Sequence, residues 1–141
     1  MSFMRFLDAN IFIYAYYKPK RELTEEQKIM KERAKEIVRR INDGEEVITT
    51  VVHISEVCNI LKRAMKLHDL QTFLIGLYSM DNVKIVDVSE NLYFTAIGLM
   101  DEFKLDPNDC LAVLVMEKES INEIYTFDKG FDNVSWIKRL P

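Results

Sequence analysis

The sequence has little of the residues that interrupt regular structure. It holds only four glycines and three prolines in 141 residues, while 48% of its residues are hydrophobic. This composition excludes a disordered chain and favours an ordered globule with a proper core. No internal repeat or linker is visible, so we predict one domain over residues 1–141.

Long hydrophobic stretches and a leader are also missing. No apolar run approaches the roughly 20 residues that a membrane span needs. The N-terminus carries Arg5 and Asp8 but lacks the apolar segment and small-residue cleavage site of a signal peptide. We therefore expect a cytoplasmic protein with no membrane partner.

Cysteine and histidine are scarce and scattered. Two unclustered cysteines, Cys58 and Cys110, make neither a disulfide framework nor a zinc site. His53 and His68 are too far apart in sequence to suggest a zinc cage on their own. Any metal in this protein would have to be held by oxygen.

Charge is unevenly distributed along the chain. The net charge is −4, yet residues 18–40 hold nine Lys or Arg against five Glu, and the remainder holds ten against eighteen. Spacings such as Glu36 to Arg40 favour a solvated helix face with pairs one turn apart. Net charge therefore does not settle whether the partner is a nucleic acid.

Short strands alternate with helices in the predicted order of elements. Strands are predicted at residues 4–7, 46–50, 83–88 and 121–127, with a possible fifth at 134–137. Helices are predicted from residue 11 until Pro19 interrupts, and over 23–41, 51–67, 70–80, 89–103 and 107–118. This alternation predicts an α/β fold, a parallel sheet covered by helices on both faces.

Four carboxylates fall where such a fold places its working site, beyond the carboxyl ends of the strands. Asp8 follows the first predicted strand and Asp128 the fourth. Glu56 lies about two turns into the helix after the second strand, and Asp109 lies in the first turn of the helix that DPND opens. Two acids are thus at the predicted edge, and helices can carry the other two there.

Each of these acids also has a structural explanation. Asp8 can cap the following helix, and Asp109 can belong to a capping box with Asp106. Asp128 can serve the turn before Gly130, and Glu56 can be an exposed helix residue. Taken singly, each of these readings is at least as favoured as a functional one, because short acidic motifs match often by chance.

The combination of four acids favours a metal site. Four carboxylates in one pocket repel one another unless some stay protonated or a cation neutralises them. Mg²⁺ or Mn²⁺ takes oxygen ligands, keeps several waters and leaves positions for a phosphate. Such an ion suits hydrolysis of a phosphodiester, with either one or two ions.

The same residues resemble the motifs of PIN-domain ribonucleases. FLDANIFIYA looks like their opening motif, a hydrophobic strand followed by Asp-x-Asn. SEVCNIL, NDCLAVLVM and TFDKGF supply the later Glu, Asp and Thr-x-Asp-x-x-Phe in the expected order. The ordered set spans nearly the whole chain, although no single element of it is specific.

The resemblance implies a three-layer α/β/α fold and Mg²⁺- or Mn²⁺-dependent cleavage of RNA, often by VapC-like toxins of toxin–antitoxin pairs. It implies an RNA substrate, a possible cognate antitoxin and a homodimer, which is common among similar proteins. By motif match the catalytic and metal-binding acids are Asp8, Glu56, Asp109 and Asp128. Asn10 and Thr126 become polar groups that orient them, and Asp132 becomes an auxiliary acid.

Two other functions compete with this interpretation. A phosphohydrolase of the haloacid dehalogenase type also places an Asp after its first strand, but its second acid is replaced here by Asn10. A PIN-like domain that no longer cuts, and only binds RNA or protein, is the second. The presence of all four acids counts against it.

Overall fold

The computed structural model describes residues 4–141, so the first three residues of the predicted domain lie outside the described part. Five parallel strands form one sheet. The strands are β1 Arg5–Leu7, β2 Val47–Thr50, β3 Val83–Val86, β4 Glu123–Tyr125 and β5 Lys138–Leu140. The helices are α1 Ala9–Tyr16, α2 Glu25–Asn42, α3 Val51–Leu61, α4 Leu67–Tyr78, α5 Glu90–Gly98, α6 Met100–Phe103 and α7 Pro107–Lys118.

The order of the strands determines where the sheet has a crevice. It runs β3-β2-β1-β4-β5, so the chain moves outward from β1 in one direction and then returns to add β4 on its other side. In register, Phe6 pairs with Ile48 on one side and Ile124 on the other. The switch point therefore lies between β1 and β4, and ligands of open α/β sheets bind at the carboxyl ends of such strands.

Alternation along the central strands produces two cores, one on each face of the sheet. Leu7 and Val47 pack with α1 to α4, whereas Phe6 and Ile48 pack with α5 and α7. Successive side chains of a strand point to opposite faces of the sheet. Because helices cover both faces, these short strands are apolar at every position. The three-layer α/β/α fold expected from the sequence is confirmed.

The helix bounds differ from the prediction at several places, and α4 begins three residues earlier than expected. α1 begins two residues earlier than expected, because Asp8 caps it. The helix predicted over 51–67 ends at Leu61, and the one predicted over 89–103 divides into α5 and α6 near Leu99. At the end of α2 the chain turns through Gly44 with φ of 113°, which accounts for the glycine there.

The fifth strand was predicted at the wrong place. Residues 134–137 do not form a strand; β5 follows at Lys138–Leu140. Val134 and Ile137 are both buried because they lie three residues apart in a turn, where the Ile137 N–H donates to the Val134 carbonyl at 3.1 Å. A 3₁₀ helix at Lys129–Asn133 also occupies the stretch after β4.

Lys31 joins α2 to the end of α1. Its Nζ donates hydrogen bonds to the carbonyl oxygens of Tyr14, Ala15 and Tyr17 at 3.1–3.3 Å. A cation at this position satisfies carbonyls that the helix leaves unpaired and interacts favourably with the helix dipole. The other charges of α2 behave as the sequence suggested, with exposed pairs such as Glu36–Arg40.

Among the helices of residues 4–141, none is both long enough and apolar enough to cross a membrane.

Candidate active site

Asp8 stands at the carboxyl end of β1 and is only 4% exposed. Its Oδ1 accepts a hydrogen bond from the backbone N–H of Ala9 at 2.8 Å, so the residue caps α1. Its Oδ2 accepts a hydrogen bond from the hydroxyl of Thr126 at 2.7 Å. The cap that the sequence allowed for Asp8 is present, and it uses one carboxylate oxygen while the other faces the end of β4.

Thr126 connects the ends of the two central strands. Its hydroxyl donates to Asp8 and accepts from Asn10 Nδ2 at 3.1 Å and from the backbone N–H of Asp128 at 3.0 Å. The Asn10 amide oxygen in turn accepts from the N–H of Phe127 at 3.3 Å. One buried hydroxyl thus has a donor role and two acceptor roles filled, and it fixes Asp8 relative to the segment that carries Asp128.

Asp128 lies in the turn after β4 and has an exposed side chain. Its Oδ1 accepts a hydrogen bond from the N–H of Gly130 at 2.8 Å, the turn contact that the sequence allowed. A Cβ on Gly130 would lie 3.0 Å from this Oδ1 and 3.0 Å from Leu105 Cδ2. Close approach therefore favours glycine here, since a larger residue would press on the Asp128 carboxylate and on Leu105.

Asp106 and Asp109 have different tasks at the start of α7. Asp106 is the capping residue, and its Oδ1 accepts from the backbone N–H of Asp109 at 2.8 Å. The Asp109 side chain is half-buried and reaches Asp128, with which it forms a hydrogen bond when protonated. Asp109 therefore faces the turn after β4, while Asp106 caps the helix nearby.

The acids are close enough to change one another's protonation. Burial, together with the charges of Asp8 and Asp106, raises the pKa of Asp109 to about 9. Burial also raises the pKa of Asp8 to about 6, with a smaller contribution from Asp128. Without a cation, Asp109 therefore retains its proton at neutral pH.

Glu56 reaches the cluster from α3, held by an amide. Asn108 Nδ2 donates to Glu56 Oε1, and the hydroxyl of Tyr93 donates to Asn108 Oδ1. A carboxylate only accepts, so the amide nitrogen must face Glu56 and the amide oxygen is left for the phenol. Burial raises the pKa of Glu56, which also interacts with the charge of Asp8.

The sequence does not identify Asn108 and Tyr93 as site residues. Asn108 directly precedes Asp109, but an asparagine near a helix start is ordinarily a matter of capping. Its contact with Glu56 spans 52 residues and depends on how α3 and α7 pack. The sequence contains no periodicity or spacing that indicates such a contact.

His53 lies one turn before Glu56 and is almost completely buried. Its Nδ1 lies 2.7 Å from the Thr50 hydroxyl, and its ring meets Phe6 edge-on with centroids 5.0 Å apart. Within the described residues its Nε2 has no hydrogen-bond partner. Burial lowers the pKa of His53 to about 4, so the ring is neutral at pH 7.

Asp132 does not take the position expected of an auxiliary acid. It forms a two-fold pair with Arg139, with Nε–Oδ1 and Nη2–Oδ2 distances of 3.2 Å. None of the groups that shift the pKa of Asp8, Glu56 or Asp109 is Asp132. A bidentate arginine partner satisfies this carboxylate at the β5 side of the sheet instead.

The cluster has the donor chemistry of a site for a hard divalent cation. Within residues 4–141 no three Asp, Glu, His or Cys side chains form a ready-made cage. The oxygens nevertheless retain lone pairs, because each carboxylate oxygen that a donor holds can accept once more. Mg²⁺ commonly binds through one or two carboxylates and keeps its waters, so these residues fit that kind of ion.

Comparison with family models gives a match over nearly the whole chain. The model of the PIN domain matches residues 5–137. This match contradicts the phosphohydrolase of the haloacid dehalogenase type that the sequence left open. A search of curated proteins finds no match.

Three solved structures resemble the fold at low sequence identity. The toxin VapC20 of Mycobacterium tuberculosis, which cleaves the sarcin–ricin loop, has a TM-score of 0.70 and 20% identity, covering 96% of this chain and 98% of its own. A toxin–antitoxin complex from Klebsiella pneumoniae has a TM-score of 0.65 and 16% identity, covering 95% of both chains. VapBC2 from Rickettsia felis, bound to a DNA fragment from its promoter, has a TM-score of 0.64 and 17% identity, covering 97% of both.

Proposed function

The chain belongs to the PIN-domain family, and from that premise we propose that it is an endoribonuclease that hydrolyses RNA phosphodiesters with Mg²⁺ or Mn²⁺. One observation carries the proposal. Carboxylates that follow β1 and β4 or lie on α3 and α7 face the switch point of the sheet, and burial together with the charges of Asp8 and Asp106 raises the pKa of Asp109 to about 9. Such a cluster can bind a divalent cation when it releases a proton. The bound cation would then neutralise charge on the phosphates of RNA.

The acids of the cluster would have different roles in binding the ion. Asp8, Asp109 and Asp128 would bind it, together with Glu56 directly or through water. When bound, the ion lowers the pKa of a water molecule and stabilises charge on a phosphoryl oxygen. Asp109 would give up its proton on becoming a ligand, and Thr126 keeps Asp8 in place through its hydroxyl.

Glu56 contributes a second oxygen that no hydrogen bond occupies in the described residues. Asn108 holds Oε1, which leaves Oε2 available to bind the ion or to accept a proton. Burial raises the pKa of the Glu56 carboxyl, which makes its carboxylate a stronger base.

We further propose that the protein is a VapC-like toxin with a cognate antitoxin. Support comes from the fold that it shares with VapC20 and with the two toxin–antitoxin assemblies. Growth arrest on expression of the wild type, relieved by co-expression of a small neighbouring gene product, is the expected result. Arrest that persists in the Asp8→Asn variant would contradict a toxic activity based on RNA cleavage.

The test of the nuclease compares Asp8→Asn with wild type on a mixed pool of structured and single-stranded RNAs, in Mn²⁺ and in EDTA. We expect metal-dependent cuts by the wild type and none by the variant. The variant should be as stable as the wild type or more so, by about 1–2 kcal/mol in EDTA at pH 8, since a buried charge is removed. Unfolding of Asp8→Asn would instead favour a purely structural role.

Asp132→Asn is the matched control, because this acid pairs with Arg139 away from the cluster. It should cut like the wild type. Mn²⁺ binding, followed by electron paramagnetic resonance, separates the remaining outcomes. A wild type that neither cuts RNA nor binds Mn²⁺ would overturn the proposal in favour of a non-catalytic PIN-like module.

A further inference from the structure

A polar hollow of about 360 Å³ opens beside Glu56. It lies between α3, the start of α5 and the start of α7, and we call it the α3–α5 hollow. Its sides are formed by Ser55, Glu56, Asn59, Glu90, Tyr93 and Asn108. Because Glu56 belongs both to the hollow and to the acid cluster, a group bound here would be adjacent to the reacting phosphate.

One side of the hollow is fixed by the fold. Tyr93, Asn108 and Glu56 form a hydrogen-bonded chain that joins α5, α7 and α3. The Tyr93 ring is half-buried, so one part of it packs while another part faces the hollow. A side that is held before the ligand arrives loses little entropy on binding.

The opposite side of the hollow carries polar side chains that form no hydrogen bonds within the described residues. Ser55 and Asn59 lie one turn apart on α3, and both are exposed. Within residues 4–141 neither side chain has a hydrogen-bond partner. The hydroxyl and the amide can therefore each donate and accept toward a ligand.

The charge of the hollow indicates which chemical group of a ligand can bind there. Its lining includes the carboxylates of Glu56 and Glu90 and, among the described residues, no lysine or arginine. A phosphate would be repelled here, whereas a neutral group with N–H donors would be attracted. Val52 and Val88 supply apolar surface at the same place, which suits a flat heterocycle.

We propose that the α3–α5 hollow binds one nucleobase of the RNA next to the scissile phosphate. The base packs against Tyr93 and the two valines, and its exocyclic and ring donors reach Asn59 and Ser55. Single-stranded RNA is recognised in this way, by stacking and by hydrogen bonds to base edges. The inference rests on the proposed RNA substrate, and it assigns part of the sequence preference to these two side chains.

The first experiment measures cleavage preference on RNAs randomised around the cut. The double variant Ser55→Ala/Asn59→Ala removes the free polar groups but leaves the four acids and Asn108 in place. We expect the preference at one position next to the cut to weaken by about 5- to 30-fold, the effect of losing one or two hydrogen bonds. KM should rise while kcat and Mn²⁺ binding stay unchanged, and Asn91→Ala, on the exposed face of α5 outside the hollow, should behave as the wild type.

The second experiment does not depend on cleavage. Methyl resonances of Val52 and Val88 are followed while each of the four nucleosides is added in EDTA. We expect at least one nucleoside to shift them in the wild type and in Asn91→Ala, and the shift to be lost in the double variant. Shifts in a protein that cuts no RNA would retain the subsite and reject the nuclease. Cutting by the wild type with an unchanged preference in the double variant, or no methyl shift with any nucleoside, would overturn the subsite alone.

Discussion

At the scale of single residues, the Thr126 hydroxyl has an importance that its size does not suggest. It is the contact through which the buried Asp8 carboxylate, Asn10 and the backbone of Asp128 are held together. A group that orients metal ligands commonly affects affinity or activity by 10- to 100-fold. We therefore propose Thr126 as a positioning residue, which would act on the chemistry through Asp8.

Replacing Thr126 by valine tests this role, because the side chain keeps its shape and loses its hydroxyl. We expect kcat to fall about 10- to 100-fold. The free energy of unfolding should fall by about 1–3 kcal/mol, since buried polar groups lose their partner. Serine at the same position restores the hydroxyl and should recover most of the activity. Equal activity of Thr126→Val and wild type would mean that the hydroxyl only stabilises the fold.

The sequence predicted the site residues unevenly for a physical reason. Asp8 and Asp128 follow strands, so topology alone brings them to one edge of the sheet. The contacts of Asn108 and Asp132 depend instead on which side chain a neighbouring element presents. Chain order does not encode such contacts. The catalytic role of the four acids stays a prediction that the experiments above must test.

At the scale of elements, α1 is short and begins at the site, and side chains outside the helix stabilise both of its ends. Asp8 satisfies the first N–H groups, and Lys31 reaches across from α2 to three carbonyls at the other end. An eight-residue helix is marginal by itself in water, and tertiary contacts have to stabilise it. Lys31 is one of these contacts.

Lys31→Met keeps the alkyl chain and removes the ammonium group. We expect the free energy of unfolding to fall by about 1–2 kcal/mol, because partly buried carbonyls lose their donor. Lys28→Met, which removes only an exposed pair with Glu25, should change it by less than about 0.5 kcal/mol. Urea denaturation of the two variants and the wild type measures the difference. If both variants lowered the free energy of unfolding equally, the hydrogen bonds of Lys31 to the three carbonyls would add no stability beyond that of hydrogen bonds to water.

The elements also show what periodicity can and cannot predict. The long helix and the buried strands carry strong patterns, and the structure has them close to where they were expected. The fifth strand was predicted at the wrong place because Val134 and Ile137 are apolar. Apolar residues that are buried in a turn give the same sequence pattern as those buried in a strand. Three-residue strands such as β5 contain too few positions for alternation to be seen.

At the scale of the whole molecule, stability without metal should depend on pH in a characteristic direction. The pKa of Asp109 is about 9 in the folded state and 3.8 as its ordinary value, so folding takes up a proton between these limits. Stability from this group is complete below pH 4 and is lost as pH rises toward 9. Burial lowers the pKa of His53 from 6.5 to about 4, which gives the opposite slope, but only between pH 4 and 6.5.

Between pH 6.5 and 9 in EDTA, the free energy of unfolding should therefore decrease. Mg²⁺ should flatten or reverse this slope, because ion binding favours the deprotonated acids. Asp109→Asn should show little of the slope in EDTA and should not respond to Mg²⁺. Chemical denaturation at several pH values gives all three curves. A stability that increases with pH in EDTA over this range would show that the acids do not crowd one another as the structure indicates.

The position of β4 has a consequence for the moment at which the protein becomes active. β1 is one of the first segments made, but its neighbour on the open side of the switch point is β4, and Asp128 comes 120 residues after Asp8. A growing chain on the ribosome therefore cannot assemble the acid cluster while the middle elements fold. If the protein cuts RNA, the parallel crossover delays that activity until the segment with Asp128 has emerged and joined the sheet.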